Sequence, residues 1–178
     1  AAILANQILG GGGEARLFLN LREDKGYTYG AYSQLRDSHK TKALFKASAS
    51  VRNIVTDSAT VQLLYEIDRI TNELVTDQEL NIVKAKYVGS FVLSLEDPAN
   101  IARYALNIKT QNLDPEFYRL FLQNINAVTK EDIYRVAKNY FLSNQARVVV
   151  TGKGSEILDA LEKISFKGKV LKVSYFDK

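Results

Sequence analysis

The chain has no cysteine, no methionine and no tryptophan, and only one histidine and two prolines among its 178 residues. Without cysteine it can form no disulfide, no thiolate metal site and no thiol nucleophile. With His39 alone it cannot build a metal site that needs two histidines, such as the His-Glu-x-x-His pattern. No apolar run approaches the roughly 20 residues that cross a bilayer, and no basic-apolar-small leader pattern opens the chain. The absence of methionine and the uncapped helical character of Ala1–Leu9 read as a piece of a longer precursor.

What is present is an ordinary globular balance, with 46% hydrophobic and 25% charged residues. That argues against disorder, and the length suits one domain with a real core. The net charge is +4, and the positive excess concentrates between Arg36 and Arg52, where Lys40, Lys42 and Lys46 face only Asp37. Such a patch would suit a nucleic acid, but lysines on a solvated strand face explain it more simply.

The pattern predicts helix, two strands, a long helical block, then strand, helix and strand. Ala1–Leu9 and Glu14–Asp24 read as helices interrupted at Gly10-Gly11-Gly12-Gly13, because four glycines cannot hold a helix against their backbone entropy. Gly26 ends the second helix. Tyr27, Tyr29, Ala31, Ser33 and Leu35 then share one face of a first strand, and Ala43, Phe45, Ala47, Ala49 and Val51 one face of a second. The linker Arg36–Thr41 suits an antiparallel hairpin, and an alanine-rich inner face lets helices approach closely. Thr76-Asp77-Gln78-Glu79 is a capping box with Val75 and Leu80 as its hydrophobic staple. Thr129-Lys130-Glu131-Asp132 repeats it, with Val128 and Ile133. Asp97-Pro98 and Asp114-Pro115 each read as an N-cap followed by proline at the first helical position.

Helices are therefore expected near 57–74, 77–95, 98–110, 115–126 and 130–141, the first with a buried stripe of Leu63, Leu64, Ile67, Ile70 and Leu74. The valine run Ala146–Thr151 reads as a strand, Ser155 as the cap of a helix to Ile164, and Val170–Phe176 as a last strand. One α+β domain over residues 1–178 is the expected organisation.

Three places could carry chemistry. The glycine run has no following Gly-Lys-Ser/Thr and lies between helices, which fits a corner better than a phosphate loop. His39 sits in a polar hairpin tip with no Asp or Ser pair at catalytic spacing. The most pointed group is Leu21-Arg22-Glu23-Asp24-Lys25-Gly26-Tyr27-Thr28-Tyr29-Gly30. There a helix end and a strand start could aim Arg22 and Tyr29, two hydrogen-bond donors, at one carbonyl oxygen. The plainer reading pairs Arg22 with Glu23 or Asp24 and makes Tyr29 a core aromatic.

Asn6-Gln7-Ile8-Leu9-Gly10-Gly11-Gly12, Ala15-Arg16-Leu17-Phe18, Leu21-Arg22-Glu23 and Gly26-Tyr27-Thr28-Tyr29 follow in an order that resembles the C-terminal domain of the M16 zinc peptidases. The resemblance continues through Thr76-x-x-Glu79-Leu80, Lys84-Ala85-Lys86, Val128–Tyr140 and Val148-Val149-Val150-Thr151-Gly152. It implies an α+β fold of the M16/LuxS-like metalloenzyme kind, a mostly antiparallel sheet with helices packed on one face, here lacking its first strand and the start of its first helix. It implies a chamber for unfolded peptides closed by two such domains, in one chain or two subunits. Zinc would sit in the partner N-terminal domain on His-x-x-Glu-His, with no cofactor in this chain. Arg22 and Tyr29, with the family's spacing of seven, would bind substrate and stabilise the intermediate of peptide-bond hydrolysis. Gly11 and Gly12 would match a substrate-binding glycine loop, in a shortened form. A bacterial relative would place the protein in the periplasm or cell envelope. The alternatives are a non-catalytic partner subunit or scaffold of the same fold, and a nucleic-acid-binding domain using the 36–52 hairpin.

Overall fold

The computed structural model describes residues 1–36 and 44–175. His39, Lys40, Lys42, Ala43 and most of the Arg36–Thr41 linker lie outside the described residues, as does Phe176. Helix α1 (Ala2–Gly10) buries Leu4, Ala5, Ile8 and Leu9, and leaves Ile3 exposed. The chain breaks over the glycines and restarts as the short α2 (Arg16–Phe18), which widens into a π-helical turn over Leu19–Asp24. Gly26, at φ 62°, reverses the chain in a conformation that L side chains adopt at a cost.

Strands β1 (Thr28–Leu35) and β2 (Phe45–Val51) pair antiparallel, with Ala31 opposite Ala49 and Leu35 opposite Phe45. Phe45, Ala47, Ala49 and Val51 face the core, as their alternation predicts. Ala31 is fully buried, and the Ser33 hydroxyl donates to Asn6 Oδ1 at 2.9 Å, so α1 lies close against β1.

The helical block follows the punctuation of the sequence. Helix α3 (Thr56–Asn72) buries Leu64, Ile67 and Ile70. Leu74 falls outside the helix and is exposed; Val75, one residue on, takes the buried place. Helix α4 (Asp77–Ser94) starts on the Thr76 capping box with both reciprocal bonds formed, and α5 (Pro98–Thr110) starts on Asp97, whose carboxylate accepts from the Ala99 N–H at 2.9 Å. Asp114 caps in the same way, accepting from the Glu116 N–H. Yet 115–120 makes only turns, beginning with a Phe117 N–H to Asp114 carbonyl bond of the tighter three-residue kind, and the helix α6 is Phe121–Ala127. Helix α7 (Lys130–Tyr140) has its expected capping box on Thr129, and Phe141 beyond it is fully buried against Phe45, ring centroids 4.5 Å apart.

The tail departs most from expectation. Ala146–Val150 forms no strand and is unpaired among the described residues, with Val149 88% exposed. A valine run becomes a strand only with a neighbour to take its N–H and C=O groups, and neither hairpin strand receives it. Helix α8 (Gly154–Leu161) begins one residue before Ser155, without a side-chain cap. The last pairing is the two-residue ladder of β3 (Ser165–Phe166) and β4 (Lys169–Val170), shorter than the alternation over Val170–Phe176 suggested. The fold is α+β, with antiparallel pairing and the helices supplying most of the core.

Candidate functional site

Arg22 sits inside the π-helical turn, half exposed, with its guanidinium carbon 4.7 Å from the centre of the Phe18 ring. Phe18 lies one turn earlier and is itself buried beneath it. A cation held over a ring face is attracted by the ring quadrupole, and loses less of that attraction the less water surrounds it. Arg22 also meets Glu23 at 3.5 Å, the surface pair that the plainer reading expects. A hydrogen bond of 2.9 Å from the Tyr27 N–H to the Leu21 carbonyl ties the strand start to this turn.

Tyr29 is 94% exposed. Strict alternation puts it on the inner face with Ala31 and Ser33, and that expectation fails because of a bulge. Thr28 pairs with Val51 and Ala31 with Ala49, so two residues, Tyr29 and Gly30, span the place opposite Ser50. The extra residue reverses the phase and sends Tyr29 outward. Thr28 stitches the irregularity, its hydroxyl donating to the Ser50 carbonyl at 2.7 Å and accepting from the Gly30 N–H at 3.1 Å. The Tyr32 ring lies over Gly30, so close that a Cβ there would come within 2.6 Å of the ring and oblige it to move.

The result is a ledge. Tyr32 lies over Gly30 and is tilted against Phe18 at 6.2 Å between centroids, and Arg22 caps the other end of Phe18. Tyr29 shares the outward face of β1 with Tyr32. No hydrogen bond joins Arg22 and Tyr29 among the described residues, and each stands exposed on its own element. Phe18, Gly30 and Tyr32 are the parts that sequence reasoning did not assign. Gly30 inside a strand pattern was the available sign of a bulge.

Gly11 and Gly12 stand further along. Gly11 closes α1, its N–H bonded to the Gln7 carbonyl and its own carbonyl accepting from Gln7 Nε2 at 2.8 Å. The Lys86 ammonium stands against Gly12. The run separates two clefts. One of about 430 Å³ is lined by Gly10, Gly11, Tyr32 and Lys46 among others, and so borders the ledge at Tyr32. The other, of about 340 Å³, runs past Gly12 toward Glu79 and Lys86 at the start of α4.

Two buried polar contacts hold the segment from behind. Arg16 forks onto Glu79 through Nε at 2.6 Å and a terminal nitrogen at 3.1 Å. Burial pushes the Glu79 carboxyl up, but the Arg16 bond and the Thr76 N–H outweigh it and hold the group below the ordinary carboxylate range. Asn20 donates to Glu66 at 2.7 Å and to Gln62 at 3.0 Å. Among the described residues, no three metal-ligating side chains come together.

Comparison with known proteins follows the same outline. Residues 1–87 match the family model described as the peptidase M16 inactive domain, a stretch that contains the glycine corner, the ledge and both buried clamps. A Bacillus subtilis protein named as an uncharacterised zinc protease is 27% identical over 157 residues, covering 86% of this chain and 37% of that protein. A Mycobacterium leprae protein named in the same way is 30% identical over 135 residues, 72% of this chain and 29% of that one. The chain therefore spans about a third of the length of the curated relatives it matches. In fold it is similar to an M16 peptidase inactive domain from Pseudomonas fluorescens, with a TM-score of 0.74 at 24% identity over 80% of this chain and 34% of that one. A protease from Helicobacter pylori gives 0.72 at 20% identity over 81% and 34%. Residues 1–87 of this chain therefore belong to the family of M16 peptidase inactive domains.

Proposed function

We propose that this chain is the half of an M16-type zinc metallopeptidase that binds no zinc, forming part of the wall of a chamber for unfolded peptides. Zinc, in this reading, belongs to a partner M16 domain, in the same protein or another subunit, where it would supply an activated water. The residues of this chain do the rest of the work assigned to it. Arg22 and Tyr29 donate hydrogen bonds to the carbonyl oxygen of the bond to be cleaved and stabilise the negative charge that develops on it. Gly11 and Gly12 lie where the peptide would run on toward the cleft beside Tyr32.

The observation that carries this reading is the outward position of Tyr29. A tyrosine that is 94% exposed gains nothing from burial, and a bulge with its own hydroxyl stitch turns it out. Arg22 likewise leaves its guanidinium half open to solvent. Both donors are available to a ligand.

In the full-length protein, Tyr29→Phe should lower peptide turnover about 10²–10³-fold with zinc content unchanged. Undiminished turnover would overturn the role given to Tyr29. A second reading is a non-catalytic partner or scaffold. It is favoured by a fold similarity, at a TM-score of 0.62 and 14% identity, to a chain of complex III from Candida albicans. A wild-type protein that takes up no zinc and hydrolyses no peptide would select it.

A further inference from the structure

The segment from Arg16 to Asp24 has two faces. Arg16 and Asn20, four residues apart, point inward, each to an acidic residue on a different helix: Glu79 at the start of α4 and Glu66 inside α3. Phe18 and Arg22, also four apart, stack on one another, the half-exposed guanidinium over the buried ring. Asn20 is held by backbone and side chain at once. Its carbonyl accepts the wide five-residue bond of the π-helical turn, from the Lys25 N–H at 3.0 Å, while its amide donates to Glu66. A π-helical turn carries one residue more than an α turn, so the phase of every side chain after it depends on where the extra residue is kept.

Stability alone does not explain this clamp. Glu66 is only 2% exposed, and placing a carboxylate there is expensive. One Glu66 oxygen and the Asn20 amide oxygen have no hydrogen-bond partner among the described residues, although Arg69 stands 3.5 Å from that carboxylate. An apolar pair would fill the contact at less cost, but it would not resist rotation. A short directional bond does.

We infer that Asn20 and Glu66 are a positioning pair: their hydrogen bond fixes the rotation of the π-helical turn so that Arg22 stands over Phe18 and faces the peptide. The inference rests on the reading of Arg22 as a substrate-binding donor only in its last clause. The orientation of Arg22 can be measured without any activity.

The test uses the protein with Asn20→Asp, which sets two carboxylates against each other, and the exchanged pair Asn20→Asp/Glu66→Gln, which restores one donor and one acceptor. Should Asn20→Asp fail to fold, Asn20→Ala removes the donor without adding charge. The first readout is the nuclear magnetic resonance signal of the Arg22 side-chain N–H, which the Phe18 ring face displaces upfield. The displacement should vanish in the single variant and return in the exchanged pair. The second is peptide turnover by the full-length protein, which should fall about tenfold in the single variant, but less than about twofold when Arg22→Ala is already present. An Arg22 signal unmoved by Asn20→Asp would overturn the inference, as would equal losses in both backgrounds. A signal that moves as expected, with Arg22→Ala harmless to turnover, would leave the pair in its positioning role and overturn the peptidase role of Arg22.

Discussion

The region around α1, the hairpin, α3 and α7 and the arm from Pro98 to Leu120 hold their shape by different means. In the first, Leu4, Leu9, Leu17, Leu21, Ile70, Ile133 and Phe141 are fully buried in one continuous cluster. In the second, no residue of α5 is buried, and Ile101 and Leu106 face solvent. The arm is kept in place chiefly by ring contacts: Phe91 stacked on Tyr104, Tyr104 stacked on Tyr118 at 4.3 Å, and Phe121 tilted against Phe91 at 4.5 Å. Two hydroxyl contacts support them, Ser94 with Tyr104 and Asn107 with Tyr118. The lesson concerns cooperativity. A region held by volume unfolds as a whole, whereas one held by a few ring faces opens locally at low free energy. Leu21 beside Arg22 and Ala31 near Tyr29 both belong to the first kind of support.

Three perturbations probe that contrast. Phe141→Ala removes the largest fully buried side chain and should lower global stability by about 3–5 kcal/mol, read by denaturant unfolding. A loss below about 1 kcal/mol would mean that the core is looser than its burial indicates. Smaller and dependent on pH is the effect of Glu79→Gln. Because the folded Glu79 carboxyl lies below its ordinary value of 4.5, the stability it contributes is complete above that value and is lost as pH falls through the folded one. The variant should thus be less stable than wild type at pH 7, with the difference narrowing below about pH 4.5. A constant gap in melting temperature across that range would count against the Arg16 pairing. Smallest of the three, Tyr118→Leu should cost about 0.5–1.5 kcal/mol, felt as faster amide hydrogen exchange in α5 with little change in α1 or α3. Equal acceleration everywhere would erase the distinction between the two regions.

Much of the scaffold could be read from the sequence because its signals are local. A capping box, an Asp-Pro start and a four-glycine break each declare themselves within a few residues, and Thr76, Asp97 and Thr129 all cap as their neighbours predict. The spacing of Arg22 and Tyr29 singled out the pair in the sequence, within the stretch that the family match covers. The geometry of the pair was less legible. The face of Tyr29 depends on one additional residue in β1, and alternation counted along a single strand has no means of detecting what the partner strand skips. The inward roles of Asn20 and Glu66, 46 residues apart, arise from tertiary packing that leaves no pattern in either segment. The valine run failed for the complementary reason: local propensity was strong, but the pairing it needs is not local.

That valine run has a further consequence for how the polypeptide behaves in company. Val148, Val149 and Val150 form a short run of β-branched side chains whose main-chain groups have no ladder partner among the described residues. Such a stretch is a template on which other chains can add strands, the beginning of fibrous self-association. Arg147 on one side and Lys153 on the other flank it with positive charge, the arrangement by which soluble proteins keep an adhesive segment from meeting its own kind.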